Sequence, residues 1–543
     1  RVHFTPLTEY YLDSNNGSPR RMLLALSLVA GFILLMALVN FINISMGNSI
    51  GRLKEIGVRK VMGGTRPQLM LQFIVESTLL VLFAIGLALA LFEVFRPFFS
   101  GLLDRQLPAL SGFPAYFILI PLLAAPAIGL LAGLYPAFVL SVQPSVASLK
   151  GKLQSVREKK AFRTGLTGLQ FMTAIIVFIA ALVITEQVMH FFTRDLGYRK
   201  EGLVTVRVPR NWTPEGLQRL ETVRNEFRAL PQVAEASMSF EKPDGNSGNI
   251  GLRYHLLGKD SSQAATAISV ISDERFAATY GIPMITGSFY HERGGRYDST
   301  RLVLNESAAR ALGYTRPEEA MGASVRVIGY PQTFTVTGVT RDFHFGSLQK
   351  PIEPLLYLQI NQNIIHRFLT FRLRPGALAP SLEALRAKWS VLFPDAPFDY
   401  TFMDDALTQL YASELRMRKA AQAATAIAVL MVLLGVLGVV VQSMARRTKE
   451  VGIRKVLGAS VVRVVLLFFH EFTPVFLVAN LLAWPLAWYG LNRWLDAYAY
   501  RIHLTWTPFA LVTVVLCALV SAVIVGVSLR LARTNPVRNL RSE

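Results

Sequence analysis

The sequence predicts an α-helical polytopic membrane protein that carries a mixed α/β extracytoplasmic domain. Apolar residues make up 52% of the 543 residues, charged residues only 17%, and the mean hydropathy is +0.38, whereas a soluble chain carries about 25% charged residues. The apolar residues lie in long uncharged runs such as 22–39 and 420–445, and about 20 such residues cross a bilayer as helix. A long polar stretch, 191–418, separates two groups of these runs.

Seven apolar runs are long enough to be membrane spans. We expect them at approximately 21–45, 69–93, 113–142, 165–188, 420–445, 461–491 and 506–530. A buried core helix could explain any one of these runs, but it does not explain seven in one chain.

The net charge of +20 reports the topology of the chain and gives no sign of a nucleic-acid partner. The polar stretch 191–418 is nearly balanced, with 27 Lys/Arg against 24 Asp/Glu, while four short segments beside the spans hold 21 Lys/Arg and four acidic residues. These segments are 51–69, 143–165, 444–463 and 530–543. Short basic loops face the cytoplasm, which places 191–418 outside a bacterial cytoplasmic membrane, the C-terminus in the cytoplasm, and the basic segments near anionic lipid.

Aromatic residues around the loop between the last two spans predict a belt at the outer membrane interface. They are Trp484, Trp488, Tyr489, Trp494, Tyr498, Tyr500 and Trp506.

Within 191–418 the pattern alternates between strands and helices. Strands are predicted at Leu203–Val208, Ala234–Phe240, Arg301–Leu304, Phe334–Val339 and Leu369–Leu373. Helices are predicted at 214–229, at 305–313 with a cap near Asn305, at 379–392 and at 404–418. Because no Pro occurs in 404–455, we expect one continuous helix of about 75 Å from the outer domain to the cytoplasm.

An eleven-residue segment occurs twice, 395 residues apart: KEIGVRKVMGG at 54–64 and KEVGIRKVLGA at 449–459. Both copies follow one span and precede another. The matched residues proposed as coupling residues are Glu55, Gly57, Arg59, Lys60 and Gly63 in the first copy and Glu450, Gly452, Arg454, Lys455 and Gly458 in the second. A lipid anchor would explain the basic residues, but it would not explain the repeated Glu and Gly.

These repeated segments, each within a unit of three spans, resemble the FtsX-like permease domain of type VII ABC systems. The polar stretch resembles the MacB-like periplasmic core domain. The residues that carry this second resemblance are Asp195-Leu196-Gly197-Tyr198, Tyr280-Gly281-Ile282, Gly287-Ser288-Phe289, Asn305-Glu306, Ala311-Leu312-Gly313, Gly338-Val339 and Asp342-Phe343-His344.

The resemblance implies five regions in an N-terminally truncated, two-repeat permease. They are the tail of a first periplasmic domain (1–20), a first FtsX-like domain (21–150), a basic linker with the fourth span (151–190), the periplasmic core domain (191–418) and a second FtsX-like domain (419–543).

The resemblance also implies a function. The repeated segments would dock a separate ABC ATPase, and the chain would couple ATP hydrolysis to movement of the periplasmic domain in mechanotransmission, efflux or export. A periplasmic adaptor or substrate protein is a further expected partner. The alternative is a non-transport scaffold or signalling protein that regulates periplasmic partners such as cell-wall hydrolases.

The sequence predicts no enzymatic activity in the chain itself, and no cofactor or metal. Its Gly-Lys pairs, at 151–152 and 258–259, lack the other residues of a phosphate-binding loop. Asp342 and His344 are interpreted as structural, since no third metal ligand is evident. The single cysteine, Cys517, excludes an internal disulfide.

Two glutamates fall at matching positions within spans, Glu76 and Glu471. Ionisable groups in spans are often functional. We nevertheless favour a helix–helix hydrogen bond, or a contact with the basic segment, over a role in substrate or proton transfer, because both lie near the expected cytoplasmic interface.

Overall fold

A computed structural model describes residues 6–51, 53–103, 106–141, 160–245, 251–290, 300–456 and 460–532. The chain divides into two compact units. The membrane unit comprises Arg1–Val188, Ser413–Leu495 and Ile502–Glu543, and the α/β unit comprises Met189–Ala412 and Asp496–Arg501. The basic linker 143–159 and the C-terminal tail from 533 lie outside the described residues.

The helices in chain order are α1 (Leu7–Gly51), α2 (Leu53–Val61), α3 (Arg66–Leu103), α4 (Tyr116–Ser141), α5 (Lys160–Thr193), α6 (Pro214–Arg228), α7 (Phe276–Tyr280), α8 (Glu306–Ala311), α9 (Ile360–Asn363), α10 (Leu378–Leu392), α11 (Met403–Leu410), α12 (Ala412–Val456), α13 (Val461–Leu495) and α14 (Thr507–Ala532). Seven of these (α1, α3, α4, α5, α12, α13 and α14) contain a stretch long and apolar enough to cross a membrane. The seven predicted spans are confirmed.

Helices α3 and α4 pack through two glycines of α4, Gly129 and Gly133. A Cβ added at Gly133 would lie 2.8 Å from Ser77 Oγ and 3.3 Å from Ile74 Cα on α3. A Cβ at Gly129 would lie 2.7 Å from Thr78 Cα. Small residues four apart let two membrane helices approach closely, so this spacing fixes where α4 meets α3.

Polar side chains join other helices of the membrane unit. Gln170 Nε2 of α5 donates to Met431 O of α12 at 3.0 Å, and Thr513 Oγ1 of α14 donates to Asn480 Oδ1 of α13 at 2.6 Å. Ser443 Oγ of α12 donates to Glu471 Oε2 of α13 at 3.2 Å. The helix–helix hydrogen bond expected of Glu471 is therefore present.

The predicted helix 404–418 is wrong in one respect, because the structure divides it at Tyr411. Helix α11 ends at Leu410, and Tyr411 has φ −99° and ψ 19° outside helical geometry. Its hydroxyl accepts a hydrogen bond from Leu348 N at 2.9 Å, so burial of this aromatic ring and its polar tip overrides the local helix propensity. The continuous helix is α12, whose 45 residues extend about 68 Å at 1.5 Å per residue.

The α/β unit contains an eleven-stranded sheet. Its strands are β1 (Leu203–Arg207), β2 (Val233–Ser239), β3 (Leu252–Leu256), β4 (Ala265–Ser272), β5 (Met284–Gly287), β6 (Arg301–Asn305), β7 (Ser324–Val327), β8 (Thr333–Thr340), β9 (Leu355–Gln359), β10 (Phe368–Leu373) and β11 (Tyr400–Phe402). The order is β11-β1-β10-β2-β4-β3-β7-β8-β6-β9, and β5 pairs with β8. Because β9 also pairs with β4 in parallel, the last six strands of this order close into a ring.

All five predicted strands are confirmed within two residues, and so are the helices α6, α8 and α10. Asn305 caps α8, since its side chain accepts from Ala308 N at 2.8 Å. Six strands were not predicted. Of these, β3, β5, β7 and β11 are short and only partly buried, and their hydrophobic pattern is correspondingly weak. The other two, β4 and β9, are mostly buried, and a short apolar run of this kind does not by itself distinguish a strand from a buried helix.

An ion pair lies inside this unit. Arg224 of α6 and Asp273 are 4% and 3% exposed, and Arg224 Nη1 lies 2.5 Å from Asp273 Oδ2. The same carboxylate accepts from Met238 N at 2.9 Å and Arg275 N at 3.1 Å. These bonds satisfy a charge that would otherwise be costly to bury, and they fix α6 against the sheet.

The predicted aromatic belt is only partly correct. Tyr498 and Tyr500 belong to the α/β unit, where they pack against the buried cluster that contains Phe191 and Tyr411. Backbone hydrogen bonds from Ala499 N to Gln349 O (3.1 Å) and from Tyr500 N to Leu348 O (3.3 Å) hold this segment. The segment Asp496–Arg501 of the loop between α13 and α14 is thus part of the α/β unit.

We predict that Gly133→Leu destabilises the membrane unit by about 1–3 kcal/mol, because the new side chain overpacks the contact with Ser77. The measurement is the thermal unfolding midpoint in detergent. Gly86→Leu on α3 is the matched control, since nothing lies within 4 Å of a Cβ at that position. Equal midpoints for the two variants would contradict the proposed packing.

Candidate functional site

The first repeated segment forms α2 and the turn that follows it. Arg59 Nη2 lies 2.8 Å from Glu55 Oε1, one helical turn away, and Arg59 also donates to Gln72 of α3. Gly63 has φ +93°, a left-handed conformation that favours glycine. With Gly64 N donating to Arg59 O at 2.9 Å, Gly63 ends the helix.

One residue of α2 anchors it to the rest of the membrane unit. Ile56 is 3% exposed and packs with Leu69 and Phe73 of α3 and Ala137 of α4. Gly57, beside it, is also buried. Burial lowers the pKa of Lys60, and the positive charge of Arg66 lowers it further. The segment therefore packs against two spans, α3 and α4.

The outward face of α2 combines charge with apolar surface. Glu55 and Arg59 side chains are 40% and 47% exposed, and Val58, Val61 and Met62 are 51%, 63% and 83% exposed. An exposed apolar edge with charged neighbours is typical of a protein-binding surface. The sequence reasoning identified the charges but missed this edge, although the apolar positions 58, 61 and 62 were visible in the segment.

The second repeated segment is less completely described. Glu450, Gly452, Arg454 and Lys455 lie in the helical backbone of α12, while their side chains and Gly458 lie outside the described residues.

Residues of the α/β unit that carried the family resemblance meet at one cleft of about 540 Å³. Gly197 has φ +79° and lies against the backbone of Asp342. A Cβ added to Gly197 would lie only 2.8 Å from Asp342 O. His344 N donates to Leu196 O at 2.8 Å. The cleft also contains Tyr500, which no sequence motif indicated.

The ring of Tyr500 contacts both Arg194 and His344 in this cleft. The Arg194 guanidinium lies 4.5 Å from the centre of the Tyr500 ring, and the His344 ring meets it edge-on at 4.6 Å. Burial, assisted by Arg194, lowers the pKa of His344 to about 4, against the opposing effect of Asp342 and Asp195. A neutral imidazole is therefore the form that packs against Tyr500.

Asp342 is occupied by structural bonds. Its carboxylate accepts from Ser307 N at 2.9 Å and Ser307 Oγ at 2.7 Å, and from Arg310. Among the described residues, no three His, Cys, Asp or Glu side chains are placed to hold a metal ion.

Two family models match the chain. The MacB-like periplasmic core domain matches residues 164–387, and the FtsX-like permease C-terminal domain matches twice, at 27–144 and 423–536. Each FtsX-like match contains one copy of the repeated segment, and the match between them covers most of the α/β unit. The chain belongs to the FtsX-like, MacB-like ABC transporter permeases.

Curated relatives of this permease agree with the family. The macrolide export ATP-binding/permease protein MacB of Burkholderia orbicola is 22% identical over 404 residues, which are 72% of this chain and 57% of that protein. MacB of Campylobacter jejuni is 26% identical over 136 residues, 25% of this chain and 20% of that protein. The permease thus spans little more than half of the length of the first relative, and matches only the permease part of these fused proteins.

A solved structure also aligns with the permease. The periplasmic region of MacB from Actinobacillus actinomycetemcomitans is 16% identical, with 38% of this chain and 92% of that chain covered and a TM-score of 0.28. The seven spans and the periplasmic-type domain make the permease a multi-pass membrane protein with an extracytoplasmic domain.

We predict that acid weakens the α/β unit through His344. The folded pKa is about 4 and the unfolded value about 6.5, so the unfolded state binds more protons below pH 6.5. Stability is then lost as pH falls from 6.5 towards 4, by up to about 1.4 kcal/mol per pH unit. Because His344→Phe keeps the ring contact and removes the titration, the fall of the thermal midpoint between pH 7 and 5 should be smaller in this variant than in the wild type.

The control for this prediction is His255→Phe, on β3 and half-exposed. It should keep the wild-type pH dependence. A His344→Phe profile that matches the wild type would rule out the proposed contribution.

Proposed function

We propose that this permease docks a separate ABC ATPase on α2 and on its repeated counterpart in α12, and that it transmits the ATPase cycle to the α/β unit. The observation that supports the docking site best is the combination found on α2. An exposed surface of Arg59, Val58 and Met62 is fixed, through Ile56, to the helices α3 and α4. A simple lipid anchor would need neither the buried contact nor the Glu55–Arg59 ion pair.

Transmission in this proposal passes through α12. The helix begins at Ala412, where the α/β unit ends in the chain, and continues without interruption to Val456. It therefore includes four of the five proposed coupling residues of the second copy. A helix with no break in its hydrogen bonding resists bending over this length. In this proposal a displacement at the cytoplasmic end reaches the α/β unit without a substrate pathway through the bilayer.

The topology used here places both repeated segments and the C-terminus in the cytoplasm. It rests on the basic residues of these segments. Transmission through α12 does not require a transported molecule, and so no chemical class of substrate is proposed.

The docking role predicts that Arg59→Glu combined with Arg454→Glu reduces the ATPase stimulation by the permease at least tenfold. Reversal replaces attraction with repulsion at a protein interface, where a lost charge pair costs about 2–5 kcal/mol. The measurement uses the permease purified from its native membrane with its co-purified ABC ATPase. ATP hydrolysis is followed as that ATPase is titrated onto each variant in nanodiscs.

Two controls separate docking from general electrostatics. Arg316→Glu combined with Arg326→Glu, at two exposed positions of the α/β unit, changes the net charge equally and should leave stimulation unchanged. The exchange Glu55→Arg with Arg59→Glu keeps the net charge and the ion pair. If only the net charge at a lipid surface mattered, the exchanged variant would stimulate the ATPase as the wild type does. The docking proposal predicts instead that the exchanged variant loses this stimulation. Full stimulation by the double reversal would refute docking.

A further inference from the structure

A second cavity of the α/β unit, of about 320 Å³, lies at one end of the strands β1, β10 and β2. Its volume is at the lower end of the range of small-molecule sites. It is lined by Thr205, Arg207, Lys242, Asp244, Arg367, Phe368, Asp399, Thr401 and Gln409, and it shares none of these residues with the cleft around Tyr500.

Backbone pairing fixes the positions of the two arginines. Arg207 is the last residue of β1 and is paired with Phe368, the first residue of β10. Arg367 is held on both sides: Val208 N donates to Arg367 O at 3.1 Å, and Arg367 N donates to Ser239 O at 3.0 Å. The ends of β1, β10 and β2 therefore meet here. Hydrogen bonds of the sheet hold the backbone of both arginines, so neither guanidinium group is carried by a mobile loop.

A third cation is brought close by an aromatic ring. Lys242 Nζ and the Arg367 guanidinium each lie 5.2 Å from the centre of the Phe368 ring, so they are within about 10 Å of each other, near the distance over which salt screens charges. Lys242 is paired with Asp244 at 3.4 Å. Among the described residues, no carboxylate lies within ion-pair distance of Arg207 or Arg367, although Arg367 interacts electrostatically with the buried Glu241.

Asp399, the other carboxylate of the cavity, is exposed. Arg207 is exposed as well, so the lining as a whole holds three cations and two carboxylates, with a net charge of +1.

The chemistry of this lining selects an oxyanion. Guanidinium groups present paired N–H donors that match a carboxylate or phosphate, and a bound anion would relieve the repulsion between the like charges. The hydroxyl of Thr401 and the amide of Gln409 add neutral donors, and the Phe368 ring offers an apolar wall. The size of the cavity limits the ligand to a small molecule.

We propose that Arg207, Arg367 and Lys242 form a binding site for a small molecule that carries a carboxylate or phosphate group. The site lies wholly within the α/β unit, and it is independent of ATPase docking. The permease would thereby bind a small anion on the extracytoplasmic side.

The test is isothermal titration calorimetry of the full chain in detergent with inorganic phosphate and, separately, with acetate, sodium chloride being adjusted to keep the ionic strength constant. We expect saturable binding of at least one of these anions. Binding to phosphate alone or to acetate alone supports the site and identifies which oxyanion it prefers. The absence of saturable binding to both anions would overturn the proposal.

Variants locate the binding. Arg207→Gln with Arg367→Gln should weaken it at least tenfold, while Arg316→Gln with Arg326→Gln, which removes two exposed charges of the same unit, should leave it unchanged. Arg207→Gln alone, at an exposed position, should also weaken binding if the paired variant fails to fold. An unchanged affinity after loss of Arg207, or an equal loss in the control, would show that the cavity is not the site.

Discussion

The constraint on which the rest of this structure depends is that a chain in hydrocarbon must satisfy its backbone hydrogen bonds internally. Helix α12 meets this constraint over 45 residues, well beyond the ~20 that cross a bilayer. The additional length places one end of the helix at the α/β unit and the other in the second repeated segment. A break at Tyr411 separates α12 from the preceding helix α11, and the Tyr411 hydroxyl accepts a hydrogen bond from Leu348 N there.

The α/β unit is connected to the membrane unit by more than this one helix. It follows α5 in the chain, it precedes α12, and it takes in the loop Asp496–Arg501 between α13 and α14. That loop is held by two backbone hydrogen bonds and by the contacts of Tyr500 with Arg194 and His344.

The sequence predicted the parts of the fold that depend on local pattern. Seven long apolar runs and strands rich in Val and Phe are patterns of period or composition, and they were confirmed. The repeated segment KEIGVRKVMGG is also a local pattern, and it predicted α2 and the glycine, Gly63, that ends this helix. What depends on distant partners could not be predicted: the aromatic residues Tyr498 and Tyr500 look like an interfacial belt until Phe191 and His344 are placed beside them. The exposed face of Val58 and Met62 likewise needed Ile56 to be located first, and the anion cavity needed three strand ends to meet.

The most direct test of the account is the distance between the two units during the ATPase cycle. Spin labels at Arg316→Cys and at Tyr116→Cys, exposed in the α/β unit and the membrane unit, would be measured by double electron–electron resonance with Cys517 replaced by Ser. The permease–ATPase complex would be compared with and without a non-hydrolysable ATP analogue. The account predicts a nucleotide-dependent change in distance, which a Gly-Ser-Gly-Ser insertion after Arg418 in α12 abolishes while ATPase binding persists. An unaltered change in the insertion variant would contradict the rigid-helix mechanism.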